Sequence, residues 1–341
     1  MPRPPFRRRA ASAMVALAAA TGVACGPPSG EPAADAFLGF AGGPSGGSFF
    51  PAAGAVATLT QQQIAGLKVS VEGTGGSGEN VRLVGNGDSD MGVAYAADLH
   101  AGYFGTEDFA GAPLADLRAV GLLFWGYGHL VALEGSGIAT LADLEGKRLA
   151  IGGTGTGSAL TGERYFGHLG LLDRMQVSYL GGTAASTALK DGQVDAYHWV
   201  SGVPNAAVLD TVSTHDVVLL DLGTRAEESG FLESFPFYSP GEIPAGSYGE
   251  IAQPVRTILI GTYWIVNRQV SDDLVYEMAR AAYSPEGLAF ARQAFEPLAD
   301  MSPEQARQGL QGLTVPLHAG AERYWEERGL EVPERLHAPA Q

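Results

Sequence analysis

The chain has 341 residues, of which 45% are hydrophobic, and it contains 48 glycines, 20 prolines and one cysteine. Its length allows two domains of ordinary size, and the single cysteine excludes an internal disulfide. The formal net charge of −16 at pH 7 repels nucleic acid and anionic membrane surfaces, so we expect neither as a partner.

The first 25 residues have the order of an export signal. Four arginines lie near the start, an apolar run follows at 10–20, and small residues lead to Cys25. That run is too short to span a bilayer as a mature helix. We therefore predict a signal peptide at 1–25 and a location in the periplasm or at the cell surface. Two alternatives stay open: a lipoprotein signal with Cys25 as the lipidated residue, or an ordinary or twin-arginine signal.

Residues 26–36 are rich in Pro, Gly and Ala and predict a flexible linker. Strand and helix patterns alternate after it. Strands are predicted at 37–41, 68–72 and 91–95, and helices at 54–63 and 80–85. This βαβαβ order is typical of a parallel sheet with helices on its faces, and ligands of such sheets bind outside the carboxyl ends of the strands.

The apolar stretch 117–133 predicts two strands that leave this first lobe. The alternation then restarts, with predicted strands at 149–151, 176–180 and 195–200 and helices at 159–169 and 184–190. The apolar run 257–266 predicts a return strand, and helices follow at 272–282, 286–295 and 304–311. We therefore expect two α/β domains joined by hinge strands, with a ligand in the cleft between them. The predicted lobe I comprises 37–130 and 255–341, and lobe II comprises 131–254.

Three loops rich in Gly, Ser and Thr each open onto a predicted helix, at 42–48, 72–80 and 152–158. The first turn of a helix has free backbone N–H groups and the positive end of the helix dipole, so such loops suit a small anion. Because two loops belong to lobe I and one to lobe II, they are expected to face each other across the cleft. The candidate ligand-binding residues in these loops are Ser45, Gly47, Ser48, Phe49, Thr74, Gly76, Ser77, Asn80, Thr154, Thr156, Gly157 and Ser158.

Four further candidates lie at or just after predicted strands. Tyr95 and Trp199 are expected in the wall of the cleft, and so is Pro204. Asp98 either receives an ammonium group of the ligand or caps the helix that follows.

Two short motifs are also found in enzymes. The segment 73–78 fits the G-x-G-x-x-G pattern of dinucleotide sites, but it follows the second strand rather than the first. The segment 43–47 fits G-x-S-x-G, the nucleophile pattern of hydrolases, so an exported serine hydrolase using Ser45 stays an alternative. The histidines are scattered, and no metal-ligand spacing rises above chance. We expect no cofactor and no metal.

A series of longer motifs runs through the chain in order. They are G-x-x-G-G-S-F-F at 43–50, T-G-G-S-x-E-N-V-R-L at 74–83, G-D-S-D-M-G at 87–92, L-A-D-L-E-G-K-R at 141–148, G-T-G-S at 155–158, L-K-D-G-Q-V-D-A at 189–196, T-H-D at 214–216, F-P-F-Y at 235–238, I-P-A-G-S-Y at 243–248 and V-P-L-H-A-G-A-E-R-Y at 315–324. Together they resemble the TAXI family of extracytoplasmic solute receptors, which serve tripartite ATP-independent periplasmic (TRAP) transporters.

The resemblance implies a monomeric, non-catalytic receptor with the two-lobed fold of a type II-like periplasmic binding protein. Such a receptor closes on a small carboxylate or amino acid and delivers it to a TRAP membrane permease. A ligand sensor that signals to a membrane kinase stays an alternative. The family usually has Thr-Tyr-Tyr where this chain has Ser48-Phe49-Phe50, and many relatives have a glutamine near Tyr95. These departures imply a more apolar pocket and argue against assuming glutamate.

Overall fold

In a computed structural model of the protein, residues 36–44, 46–249 and 251–339 are described. The predicted signal peptide, Cys25, nearly all of the linker and Ser45 lie outside the described residues.

The described chain forms ten strands and twelve α-helices, joined by loops and short 3₁₀ turns. The strands are β1 Ala36–Gly43, β2 Leu67–Gly73, β3 Met91–Tyr95, β4 Leu117–Leu133, β5 Arg148–Ala150, β6 Gln176–Ser178, β7 Ala196–Ser201, β8 Val217–Leu219, β9 Tyr238–Ile243 and β10 Val255–Asn267. The helices are α1 Phe49–Gln63, α2 Ser77–Asn86, α3 Ala96–Phe104, α4 Gly157–His168, α5 Gly182–Lys190, α6 Ala206–Val212, α7 Gly223–Glu228, α8 Phe231–Ser234, α9 Asp272–Ala282, α10 Pro285–Ala294, α11 Pro303–Gly312 and α12 Ala319–Glu327.

All ten strands belong to one curled sheet with the order β2-β1-β3-β10-β4-β7-β5-β6, in which β8 pairs with β4 and β9 with β10. The first three strands are parallel to one another, and so are β5, β6 and β7. The long strands β4 and β10 pair antiparallel between these two groups. We call the part built on β1–β3 lobe I and the part built on β5–β7 lobe II. The predicted α/β, two-lobed fold class is confirmed.

The connection between the lobes differs from the sequence prediction in one respect. The stretch 117–133 is one strand, β4, and not two. Its pairing with β10 shifts register twice, so Val120 and Leu123 have no partner in the pairing. Such bulges bend a strand without ending it. A continuous bent strand therefore carries the chain from one lobe to the other.

Local sequence explains where several helices begin. α9 has two aspartates in its first turn and Arg280 in its last, which complement the helix dipole. α10 begins with Pro285, and the Ser284 side chain accepts a hydrogen bond from the Gly287 N–H. α1 begins five residues earlier than predicted, at Phe49, so its N-terminus lies directly after the first glycine-rich loop. α3, α6, α7, α8 and α12 were not predicted, because they are short or follow no clear period in the sequence.

The same topology places the glycine-rich loops. β1 leads into α1 and β2 into α2, both at the carboxyl end of the parallel strands of lobe I. β5 leads into α4 and β6 into α5 in the same way in lobe II. The N-termini of these helices therefore lie on the side of each lobe that faces the other.

Candidate functional site

Three helix N-termini meet in the cleft. α1 and α2 contribute theirs from lobe I, and α4 contributes its own from lobe II. The first N–H groups of a helix have no acceptor within the helix, so they are available to a ligand. Together the three ends direct unpaired donors and partial positive charge at one place.

These ends surround a small pocket with a volume of about 30 Å³. One water molecule needs roughly 10–15 Å³ on this measure, so the pocket holds about two water-sized groups. Its lining contains no charged side chain among the described residues. The lining residues are Pro44, Gly47, Ser48, Phe49, Gly76, Ser77, Tyr95, Thr156, Gly157, Ser158, Trp199 and Val200.

The two lobes touch around this pocket. A Cβ atom on Gly157 of α4 would lie 2.2 Å from Cδ2 of Tyr95, so only a glycine allows the helix to approach the tyrosine ring this closely. A Cβ on Gly78 would lie 3.4 Å from the Gly155 carbonyl oxygen across the cleft. Gly76 also has a φ of 116°, a backbone conformation that favours glycine. The cleft is therefore closed in this structure, and glycines allow the closure.

Aromatic side chains form the apolar part of the wall. The rings of Phe49 and Tyr95 meet edge to face, with centroids 4.7 Å apart. The Tyr95 hydroxyl donates to the carbonyl oxygen of Val200 at 2.9 Å, which ties lobe I to strand β7 of lobe II. Burial, and then the charge of Asp98, raise the pKa of Tyr95, so it remains a neutral donor.

Several predicted hydroxyl ligands are already engaged within the protein. The Ser158 hydroxyl both donates to the Val200 carbonyl and accepts from the Val200 N–H, each at 3.1 Å. The Thr156 hydroxyl donates to Gly153 and accepts from the Ala159 N–H as the N-cap of α4. These hydrogen bonds hold α4 in place, and binding of the ligand by the two hydroxyls stays a prediction. What both residues offer the pocket is their place at the start of α4.

Ser48 differs from these two residues. It is the N-cap residue of α1 but makes no side-chain capping bond, and its hydroxyl contacts Ser201 across the cleft. Ser201 also accepts a hydrogen bond from the Asn205 side chain at 2.8 Å. The Asn205 N–H in turn donates to the Tyr248 hydroxyl, which pairs with Nε2 of His129. A buried polar chain therefore runs from the pocket into the core of lobe II.

Trp199 lies in the pocket wall and is 4% exposed. Its indole N–H has no acceptor among the described residues. A Cβ on Gly182 would lie 2.9 Å from the indole ring, so the N-terminus of α5 also packs against this side chain. The indole nitrogen itself would lie 3.1 Å from this Cβ, and a buried donor without an acceptor is costly.

Asp98 does not have either of its expected roles. It lies in the first turn of α3 and bonds through Oδ1 to Nη2 of Arg164 in α4, at 3.0 Å. Arg164 also bonds to Glu107 of lobe I at 2.6 Å. Burial lowers the pKa of Arg164, but Tyr238, Asp98 and Glu107 outweigh this effect and raise it. The aspartate therefore neither caps a later helix nor faces the pocket; it belongs to an ion cluster that joins the lobes.

The structure brings most of the predicted site residues together in this pocket. They are Gly47, Ser48, Phe49, Gly76, Ser77, Tyr95, Thr156, Gly157, Ser158 and Trp199. Sequence reasoning missed Pro44 and Val200. The position of Pro44 within the first loop was an available signal, whereas an apolar residue at a strand end gives none.

Five other predicted residues do not line the pocket, and Ser45 is not described. Asn80 is buried and donates to the Val93 carbonyl at 2.8 Å, and Thr74 bonds to the Asn80 side chain. Thr154 is exposed, and neither Pro204 nor Asp98 is among the lining residues.

Larger hollows are found elsewhere in the described chain. One of about 460 Å³ lies beside Arg118 and His318, and one of about 610 Å³ lies beside Tyr248. Neither has the convergence of helix ends from both lobes that the small pocket has. One possible ligand atom each of Glu322 and Glu326 on α12 and of His337 near the C-terminus lie within 4.8 Å of one another, but Glu322 is already bonded to His337. The expected absence of a metal stays a prediction.

None of the helices in the described ranges has both the length and the apolar character needed to cross a membrane.

The chain belongs to the NMT1-like family, whose profile matches residues 40–329. Among solved structures, MatC from Rhodopseudomonas palustris with bound malate has a TM-score of 0.53 at 14% identity, covering 87% of this chain and 99% of that chain. The periplasmic binding protein BugD has a TM-score of 0.51 at 16% identity, covering 86% and 98%. The periplasmic aliphatic sulphonate binding protein SsuA from Escherichia coli has a TM-score of 0.45 at 18% identity, covering 88% and 94%. The first two similarities establish the fold as that of periplasmic solute-binding proteins.

Proposed function

We propose that this member of the NMT1-like family is an exported receptor that binds a small carboxylate or amino-acid-like solute in its cleft. The observation that carries the proposal is the convergence of three helix N-termini, from both lobes, on one pocket without a charged side chain. A bound anion would contact both lobes at once and so favour the closed form over the open one.

We further propose that the receptor serves a TRAP permease, as the TAXI resemblance implies. The motifs that carry this resemblance include all three loops around the pocket. The proposal extends to a monomer in the periplasm or at the cell surface, with Cys25 as the anchor if the signal is of the lipoprotein type. It also keeps the predicted boundaries: lobe I at 37–130 and 255–341, and lobe II at 131–254.

Catalysis is not part of the proposal. A hydrolase using Ser45 would need a histidine base close to the nucleophile. No histidine is among the described residues that line the pocket.

The test is a thermal-shift screen of the mature protein against amino acids, monocarboxylates and dicarboxylates. A ligand present at a hundred times its dissociation constant stabilises the folded state by about 2.7 kcal/mol. Ser48→Ala should weaken binding of any hit, and it should leave α1 intact because Ser48 makes no side-chain capping bond. Ser70→Ala, on an exposed position of β2, is the matched control. No shift across the whole panel would contradict the proposed function.

A further inference from the structure

We infer that the cleft selects a short monocarboxylate that has no ammonium group, and that it rejects the matching amino acids and dicarboxylates. The inference rests on the proposed function and narrows its ligand class. It follows from four properties of the pocket: the partial positive charge of the helix N-termini, acceptors that already have a donor, unpaired N–H groups and a small volume.

The charge that the pocket offers suits a single negative charge. Each helix N-terminus carries roughly half of an elementary charge, and three of them converge here. The described lining residues include no lysine or arginine, so no side chain of the lining would balance the charge of a second carboxylate. A dicarboxylate would therefore bury one charge without a partner, which is costly.

Most acceptors of the pocket already serve a donor of the protein. The backbone carbonyl of Val200 accepts from Tyr95 and Ser158. The other lining carbonyls that have a known partner accept from backbone N–H groups: Pro44 from Gly47, Ser48 from Ala52, Gly76 from Asn80 and Thr156 from Leu160. An ammonium group would have to share these oxygens with their present donors, whereas a carboxylate would meet unpaired N–H groups.

The nearest buried acid does not change this conclusion. Asp98 lies beyond the pocket wall, next to Gly157, where a Cβ would be 3.0 Å from its Oδ2 atom. Its charge is balanced by Arg164, whose side chain is 8% exposed. Asp98 is not among the residues that line the pocket, and its Oδ1 atom is held by the Arg164 guanidinium at 3.0 Å, so an ammonium group would have to compete with Arg164 for this carboxylate.

Most of the donors, in contrast, are free. The Ala159 N–H is already bonded to the Thr156 hydroxyl and Pro51 has no N–H, but the other first-turn N–H groups of the three helices have no acceptor within their helices. The indole N–H of Trp199 has none among the described residues either. A carboxylate offers acceptors and no donor, so it complements this set, and a 2-oxo or 2-hydroxy oxygen would add one more acceptor. The volume of about 30 Å³ keeps the ligand short.

The test is a titration calorimetry series on the mature protein with compounds matched in carbon number. At two carbons the probes are acetate, glycolate, glyoxylate, glycine and oxalate, and the matched set at three carbons is propionate, L-lactate, pyruvate, L-alanine and malonate. We expect at least one monocarboxylate to bind at least tenfold more tightly than the amino acid and the dicarboxylate of equal length. Equal or tighter binding of an amino acid or a dicarboxylate would overturn the inference while leaving the proposed function in place. No binding by any member would remove the proposed function and the inference together.

A tryptophan pair provides the second measurement. Trp199→Phe keeps an aromatic ring in the wall but removes the N–H, so the best monocarboxylate should bind at least fivefold more weakly. Trp264→Phe is the control, because the Trp264 indole N–H also has no acceptor among the described residues but lies buried in lobe I, stacked on Phe40. An unchanged affinity in Trp199→Phe would overturn the role of the indole, and an equal loss in both variants would assign the effect to packing.

Discussion

Replacing Arg164 by methionine should destabilise the closed protein by about 3–5 kcal/mol, because it leaves a buried carboxylate without its partner. The Arg164 side chain is 8% exposed and that of Asp98 is 1% exposed, with Nη2 and Oδ1 3.0 Å apart. The second oxygen of Asp98 has no hydrogen-bond partner among the described residues, so no other group compensates for the lost guanidinium. Glu107 is 43% exposed, and its pair with Arg164 should contribute at most about 1 kcal/mol.

The assay is urea unfolding of the parent protein, Arg164→Met, Asp98→Leu and the double variant. Replacing both partners by apolar groups removes the unpaired charge, so the double variant should be at least about 2 kcal/mol more stable than the sum of the single effects predicts. Glu107→Gln is the control for the exposed part of the cluster. Arg164 and Asp98 belong to different lobes, so the loss of their pair could open the cleft and hydrate Asp98 without unfolding the chain. Small-angle scattering should therefore be measured as well, because an opened cleft raises the radius of gyration.

Two results would refute this reasoning. The first is an Arg164→Met variant that unfolds within 1 kcal/mol of the parent and has an unchanged radius of gyration. The second is strict additivity in the double variant, which would mean that the two side chains do not depend on each other.

Two further predictions concern groups in the same region. Burial lowers the pKa of His129 to about 4 and that of His198 to about 3, whereas unfolded histidine titrates near 6.5. Only the unfolded chain binds protons on these histidines between pH 6.5 and the lowered pKa values, so the free energy of unfolding falls as the pH drops below 6.5. At pH 5.5 each histidine should have lowered it by about 1.4 kcal/mol. Urea unfolding at pH 7.5 and 5.5 measures this difference, and equal stability at the two pH values would contradict the prediction. Gly157→Ala should cost about 1–3 kcal/mol and weaken closure, because its Cβ would lie 2.2 Å from Tyr95. Gly167→Ala in the same helix is the control, because a Cβ at this position meets open space and alanine should stabilise the protein by up to about 1 kcal/mol. Thermal unfolding of both variants measures the difference, and equal effects would argue against the contact between Gly157 and Tyr95.

Much of the order of strands and helices could be predicted from the sequence, because the spacing of apolar residues along the chain differs between a strand and a helix. Runs of apolar residues at strand spacing gave β3 at Met91–Tyr95, and apolar residues at helix spacing gave α9 at Asp272–Ala282, as observed. Repetition of the βα pattern then required a second lobe. Short elements such as β8 and α8 were missed, because three or four residues do not establish a period.

The candidate pocket was partly predictable for a similar reason. Glycine-rich loops that open onto helices are local features, so the three loops around the pocket could be named in advance. The roles of individual side chains could not. Ser158 and Asn80 have the same polar character as Ser48, but only contacts distant in sequence show that the first two are engaged within their own lobes.

The sequence by itself determined the fold class and the place of the glycine-rich loops, because these depend on local patterning; the small anion as ligand stays a prediction from backbone groups that every helix has. Only the tertiary structure decided that Asp98 pairs with Arg164, that lining carbonyls such as Val200 are already paired and that the Trp199 N–H has no acceptor in the part of the chain that the structure describes. These contacts join residues as far as 105 positions apart, and no local pattern specifies which acceptor a given donor will meet. The expected choice between a carboxylate and an amino acid therefore follows from the folded chain.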